Sequence, residues 1–306
     1  LKLRRAVRQR SNDGRPHNEA PRPNSGVRLP LLFLLICAQL ILSSCEPTYP
    51  ARTLTSQLTK LVKEDYKIDV ACHISGKTLW VYVPLSDLID EAKLVWNLKG
   101  IEKMNEVIST VHRVMLSSDA KLKFLCVVAT DIKKYGVELL AVEYVPDIQE
   151  AVLEKFSRGE FFARSVRDVG INPSAINDLT GKSENYYDIT FDHFLGLQII
   201  HRIKTLFYKD KTLQKIFEIK SATTTEKFGI IKLDFEFMRK TYNLTPREEK
   251  IDPLSYVSQM AALIVKNYNY RDFQAIELTD TFAKKTIKLT RDDLKKTKIN
   301  LPTFNE

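Results

Sequence analysis

The groups in this chain that could carry chemistry are a few histidines, thiols, carboxylate clusters and glycine-lysine turns. His193 and His201 are eight residues apart, on roughly one face of an expected helix, with Asp188 and Asp192 close by. Imidazole and carboxylate groups at that spacing can build a metal site. Packed or surface histidines produce the same pattern, and His73 and His112 have no ligand-like spacing. Ala71-Cys72-His73-Ile74-Ser75-Gly76-Lys77-Thr78 fits a relaxed phosphate-loop pattern with Ala in place of the first Gly. Such a loop needs a helix N-terminus behind it. Here Thr78 to Val83 reads as strand and Pro84 follows, so Gly76-Lys77 is expected to be a hairpin turn. Gly181-Lys182-Ser183 lacks the upstream glycine as well.

Carboxylates gather at Asp87/Asp90/Glu91, Asp147/Glu150/Glu154, Glu248/Glu249 and Asp292/Asp293. Most of these positions open expected helices, where negative charge favours the helix dipole. General acid–base work needs two carboxylates converging in a cleft, and linear spacing does not display convergence. No nucleophile-elbow sequence occurs. Tyr186-Tyr187-Asp188-Ile189-Thr190-Phe191 and Tyr268-Asn269-Tyr270 are rich in aromatic rings. Their faces could stack on sugars, or fill half-buried positions. These patterns assign no catalytic, metal or cofactor residue.

A different signal lies upstream. Leu29 to Leu42 is an uncharged run of 14 residues, preceded by Arg28 and followed by Ser43 and Ser44. A membrane-spanning helix needs roughly 20 apolar residues. The run is therefore short for a span and right for the apolar core of a signal peptide. At its end, Leu42-Ser43-Ser44-Cys45 resembles the lipobox of bacterial lipoproteins: an apolar residue, two small residues, then cysteine. The resemblance covers residues 27 to 45 only. It departs from the commonest pattern at Ser44, where Gly or Ala is more usual, and in a basic segment of 28 residues before the apolar run.

The resemblance implies that the Cys45 sulfur receives a diacylglyceryl group, that the Ser44–Cys45 bond is cut, and that the new amino terminus is acylated. Each buried CH₂ contributes about 0.8 kcal/mol, so one chain holds marginally and three hold firmly. The membrane partner would be lipid reached through Cys45, on the extracytoplasmic side, with inner and outer membranes both open. Two starts are also open, Leu1 and Val27; the first Met is Met104.

Net charge is +9. Residues 1–28 hold eight basic and two acidic side chains, +6 of that total, and the 39 basic and 36 acidic residues from Cys45 onward leave only +3. The basic balance belongs mostly to the leader. It gives no ground for nucleic-acid binding, which calls for a basic stripe on a folded face. Cys72 and Cys126 are the thiols left in the body. Export would permit a disulfide between them, but both sit in apolar runs and read more simply as small buried hydrophobes.

The elements that must position these residues follow from periodicity. Residues 1–44 are leader and 45–53 a proline-containing tether. Four times a helical stripe precedes a hairpin: helices near 55–66, 101–115, 194–207 and 254–268, hairpins near 68–83, 122–145, 216–238 and 273–289. Between the two pairs, Pro146 to Phe156 opens a further helix that Phe161 to Val169 would continue. Residues 170–190, rich in Asn, Gly, Ser and Pro in their first part, read as a linker. The expected class is α+β in two domains, 54–169 and 191–306, each roughly (αββ)×2. In each, a four-stranded antiparallel sheet would carry helices on one face, with Trp80 and Tyr82 on the more open face or beneath the 146–169 helix. The expected role is binding or assembly in the bacterial envelope, with an envelope protein or cell-wall partner and no cofactor. A lipid-anchored hydrolase of wall or lipid is the alternative.

Overall fold

A computed structural model describes residues 48–90, 95–240 and 243–302. The leader, Ser44, Cys45 and Glu91 lie outside the described residues. In chain order the elements are α1 (Leu54–Tyr66), β1 (Ala71–Ser75), β2 (Thr78–Leu85), β3 (Ile89–Asp90), β4 (Val95–Trp96) and α2 (Leu98–Leu116). There follow β5 (Phe124–Asp131), β6 (Val137–Tyr144), α3 (Val145–Val152), α4 (Arg158–Arg164) and β7 (Val166–Ile171). The rest comprises α5 (Phe191–Lys209), α6 (Lys211–Ile216), β8 (Phe217–Lys227), β9 (Ile230–Arg239), α7 (Pro246–Glu249), α8 (Pro253–Tyr268), β10 (Ala275–Asp280), β11 (Lys285–Thr290) and α9 (Arg291–Lys296).

The strands form a mixed α+β fold with two main sheets. The first has the order β1-β2-β5-β6-β7 and the second β11-β10-β9-β8; β3 and β4 make a separate short ribbon. Both sheets depart from the expected all-antiparallel pairing. β2 runs parallel to β5, and β9 parallel to β10. The reason is the helix between them. A chain that leaves one end of a strand and returns through a helix re-enters at the starting end, so the next strand is parallel. Around each parallel pair, the hairpin partners are antiparallel.

A fifth strand extends the first sheet. Val166–Ile171 pairs with β6, where a helix was expected from apolar residues at near-helical spacing. The helix stops instead at Arg164, and Ser165 is already extended at ψ 135.

Coverage also differs from expectation. On one face of the first sheet, Leu58 and Val62 of α1 and Val107 and Val111 of α2 pack on Leu79, Val81, Val83, Leu125 and Val127. The other face is covered too. Trp80, Tyr82, Phe124, Cys126 and Val128 lie beneath Tyr186, Ile189, Phe191 and Phe194. Trp80 and Tyr82 are thus sealed by the segment leading into α5, not by α3 or α4. The indole Nε1 of Trp80 donates to the Tyr187 carbonyl at 2.8 Å, and the Tyr82 hydroxyl donates to the Asp178 carbonyl at 2.8 Å. The stretch 170–190 is therefore pinned across the first sheet along much of its length.

α5 carries two apolar stripes, so it can be buried on two sides. Leu195, Ile199, Ile203 and Phe207 face the second sheet and α8. Phe194 and Leu197 face the first. Gly196 permits a close crossing: a Cβ there would lie 2.0 Å from Thr224 Oγ1 of β8. The second sheet keeps strict alternation. Ile231, Leu233, Phe235 and Phe237 of β9 are buried, while the residues between them point the other way. Cys72 belongs with the α1–α2 side and Cys126 with the opposite face, and both are free thiols. A disulfide cannot pass through the sheet that separates them.

Candidate functional site

The residues singled out in the sequence separate into those used for packing and those left at a cavity. Gly76-Lys77 is a hairpin turn between β1 and β2, with Gly76 at φ +56. The Asp188 carboxylate accepts from Lys77 N at 2.8 Å and from Thr78 Oγ1 at 3.2 Å, so a carboxylate, not a phosphate, occupies this turn. Tyr186 stacks on His73 and meets Trp80 edge-on, and Tyr187 lies against Trp80 and His193. This first aromatic motif is consumed by packing. His193 and His201 line one 230 Å³ cavity, but His193 is engaged by the Tyr187 hydroxyl at 3.3 Å. Burial lowers the pKa of both histidines. Among the described residues no group of three His, Cys, Asp or Glu is arranged to hold a metal ion.

The second aromatic motif has a different fate. α8 begins at Asp252, whose carboxylate accepts from Leu254 N at 3.1 Å, with Pro253 in the first turn. It ends at Asn269, which takes the left-handed conformation at φ 47, one that Asn tolerates. Asn269 N and Tyr270 N return to the carbonyls of Lys266 and Val265. This sharp stop throws Tyr270, Arg271 and Asp272 outward between two cavities. Asn269, Tyr270 and Arg271 line both of them.

The first cavity, about 540 Å³, is basic. Among the described residues its wall contains Lys266, Arg271, Arg291 and Lys295 against a single carboxylate, Asp292. Lys295 pairs with Asp292 at 3.0 Å, and this bond lowers the Asp292 pKa. The other three cations are held by neutral oxygens. Lys266 Nζ donates to the Thr297 carbonyl at 3.3 Å, Arg271 to Asn269 Oδ1 at 3.2 Å, and Arg291 to the Arg271 carbonyl at 2.8 Å. Asp293 is turned aside into a capping box with Thr290.

The second cavity, about 650 Å³, is lined by Tyr144, Phe191, Tyr268 and Tyr270, with Lys123 and Asp272 among them. Phe191 lies 4.7 Å from Tyr270 and 5.0 Å from Tyr144, between ring centroids. The rings are held by their hydroxyls. Tyr270 donates to Asp192 at 2.6 Å and Tyr268 to Asp147 at 2.5 Å. Burial raises the pKa of all four groups, so both phenols keep their protons. Asp147, only 4% exposed, also pairs with Arg164 at 3.0 Å. Gln198 bridges Tyr268 and the Arg164 carbonyl. This buried network joins α3 and α4 to α5 and α8 behind the cavity, and sets where Tyr268 stands.

Two other polar clusters escape linear reading. His112 Nε2 bonds Glu143, which is 2% exposed, and Ser165 Oγ approaches the same carboxylate at 3.5 Å. The acid sits between the serine and the histidine, so the histidine is not positioned to take the serine proton. Elsewhere Glu184 meets Glu138 and accepts from Asn172 Nδ2 at 3.2 Å. Burial and the neighbouring Glu138 push the Glu184 pKa up to about 7, and Glu138 Oε1 is buried with no donor of its own.

The basic cavity was not foreseen. Lys266, Arg271, Arg291 and Lys295 are spread over 30 residues among many other cations, and only the fold-back of β10 and β11 collects them. The usable signal was Tyr268-Asn269-Tyr270-Arg271, aromatic and basic residues at a helix stop. No protein-family model, curated protein or solved structure matches this chain.

Proposed function

We propose that this chain is a bacterial envelope lipoprotein, anchored in a membrane by lipid on Cys45, whose folded body binds an anionic ligand beside Arg271 and Arg291. The anchor rests on the resemblance of Leu42-Ser43-Ser44-Cys45 to a lipobox. The binding role rests on one observation. Among the described residues, Lys266, Arg271 and Arg291 share a cavity wall with no carboxylate in ion-pair contact with any of them, Asp292 being paired to Lys295 and only adding a weaker attraction on Arg291. Clustered cations repel one another, and an arriving anion relieves that repulsion through charge-assisted hydrogen bonds. A cavity of that volume also falls within the range of small-molecule sites, about 300–1,000 Å³.

The body is read as two αββαββ domains with 170–190 between them, on the strength of the shared strand order. An anchored hydrolase would need a serine–histidine or carboxylate–carboxylate arrangement facing a cleft. Ser165 and His112 both address Glu143 instead, and the Glu138–Glu184 carboxyl pair lies on the wall of neither cavity beside Tyr270, which favours the binder.

Two experiments test the two parts. Cys45→Ser should move the protein from the membrane fraction to the soluble fraction of the envelope; unchanged partitioning contradicts the anchor. Titration with inorganic phosphate should give saturable shifts of Arg side-chain resonances in the full chain. Arg271→Glu combined with Arg291→Glu should abolish them, and persistence of the shifts contradicts the site.

A further inference from the structure

The two cavities beside Tyr270 differ in kind, and the difference narrows the ligand. The geometry points to an anionic saccharide that spans both, with a sugar ring against Phe191, Tyr144 and Tyr270 and an acidic group on Arg271, Arg291 and Lys266. This rests on the anion-binding reading above.

Three observations carry it. First, Asn269, Tyr270 and Arg271 line both cavities, so the two adjoin at these residues and a ligand that spans them lies over Tyr270 and Arg271. Second, the basic cavity holds four cations and one carboxylate, whereas the aromatic one sets Lys123 and the shared Arg271 against Asp272, with Asp192 behind Tyr270. A second anionic group on the aromatic side would find Lys123 as its one unshared cation, with Asp272 repelling it from the same wall. A ligand charged at one end and hydroxylated at the other meets no such repulsion, and its hydroxyls can donate to that carboxylate. Third, Lys123, Asn269 and Asp272 interrupt the rings. A hydrocarbon chain laid there would strip water from these groups and return no hydrogen bond. A sugar presents C–H faces to aromatic rings and hydroxyls to the polar groups between them. A nucleic-acid strand also stacks on rings, but it repeats a phosphate at every nucleotide, including beside Asp272.

The phenol hydroxyls sharpen the division of labour. Tyr270 and Tyr268 spend theirs on Asp192 and Asp147, so they offer no hydroxyl donor; Tyr270 is stacked on Phe273 on one side and Arg164 lies over the Tyr268 ring, which leaves the other side of Tyr270 for a sugar. Anionic selectivity therefore belongs to the arginines and ring affinity to Tyr270.

The test is a set of NMR titrations of the full chain with five probes: a hexose phosphate, glucuronate, glucose, inorganic phosphate and a short oligonucleotide. At least one acidic sugar should bind about tenfold or more tighter than both glucose and inorganic phosphate. Whichever acidic sugar is tighter identifies the anion as phosphate or carboxylate. Arg271→Glu with Arg291→Glu should bring acidic sugars down to the glucose level. Tyr270→Ala should weaken every sugar by a larger factor than it weakens inorganic phosphate, while Tyr270→Phe, which keeps the ring, should retain sugar binding. The arginines are exposed, so unfolding is not expected to confuse the result.

Inorganic phosphate binding as tightly as hexose phosphate would overturn the saccharide and leave the anion site standing. Failure of every anion to bind would overturn both. Tighter binding of the oligonucleotide than of either acidic sugar would overturn the saccharide in favour of a nucleic acid.

Discussion

The two sheets share a strand order and treat their second faces oppositely. In the first, β2 and β5 are almost wholly apolar, Leu79-Trp80-Val81-Tyr82-Val83 and Phe124-Leu125-Cys126-Val127-Val128, and every one of these residues is buried. In the second, β9 alternates, Ile231-Lys232-Leu233-Asp234-Phe235-Glu236-Phe237, and its polar side chains lie on the face away from the core. A strand buried on both faces reads as a continuous apolar run, and a half-covered one alternates. The same topology thus supports a central layer in one place and a surface layer in the other. What decides is the cover: α5 and the segment before it lie on the first sheet's second face, and nothing among the described residues does so on the other.

The largest expected effect falls on that cover. Phe194 begins the α5 stripe that faces the first sheet and is fully buried. Phe194→Ala should cost about 3–5 kcal/mol, the range for deleting a buried aromatic ring, read as a shift in the denaturant midpoint. A loss below about 1 kcal/mol would mean that α5 does not seal the first sheet. Next comes Tyr268→Phe. It leaves buried Asp147 without a hydroxyl donor, and should cost about 1–3 kcal/mol. An unaffected midpoint would remove the network from any role in joining the halves.

A smaller effect depends on pH. In the folded chain Glu184 holds its proton up to about 7, whereas unfolded it ionises near the ordinary value of 4.5. Stability should be highest below the unfolded value and fall as pH rises through the folded one, because only the unfolded state releases the proton freely in between. With solvent screening allowed for, the loss is about 1 kcal/mol. Glu184→Gln should remove that slope; identical slopes in both proteins would contradict the raised Glu184 pKa. Smallest of all, Lys232→Ala on the outer face of the second sheet should change stability by less than about 0.5 kcal/mol, although Lys232 pairs with Glu277 at 3.2 Å. A loss comparable to that of Phe194→Ala would erase the distinction between the sheets.

Much of the fold was legible. The four helix–hairpin orders follow from apolar spacing, and caps such as Asp252-Pro253 mark where helices begin. Three things were not. Periodicity does not tell a parallel neighbour from an antiparallel one, because both bury the same face. Val166–Ile171 carries apolar residues at spacings a helix could also use, so the fifth strand stayed hidden. The long apolar runs of β2 and β5 are what two covered faces require, yet Trp80 and Tyr82 were expected on a more open face or beneath the 146–169 helix, and residues 178–194 supply the cover instead.

The candidate site was half legible. Tyr268-Asn269-Tyr270 stood out by type, and its twin Tyr186-Tyr187 stood out equally, yet one lines a cavity and the other is packed under a tryptophan. The cations beside Tyr270 come from α8, the loop after it and α9, and no local rule links them. Glu138 and Glu184 are 46 residues apart and meet only because 172–190 folds back over β6.

The most direct measurement is a crystal structure of the full chain grown with the tighter-binding acidic sugar. The account predicts its acidic group within hydrogen-bonding distance of Arg271 and Arg291, and its ring against Tyr270 and Phe191. A sugar bound elsewhere, with both cavities beside Tyr270 filled only by water, would contradict it.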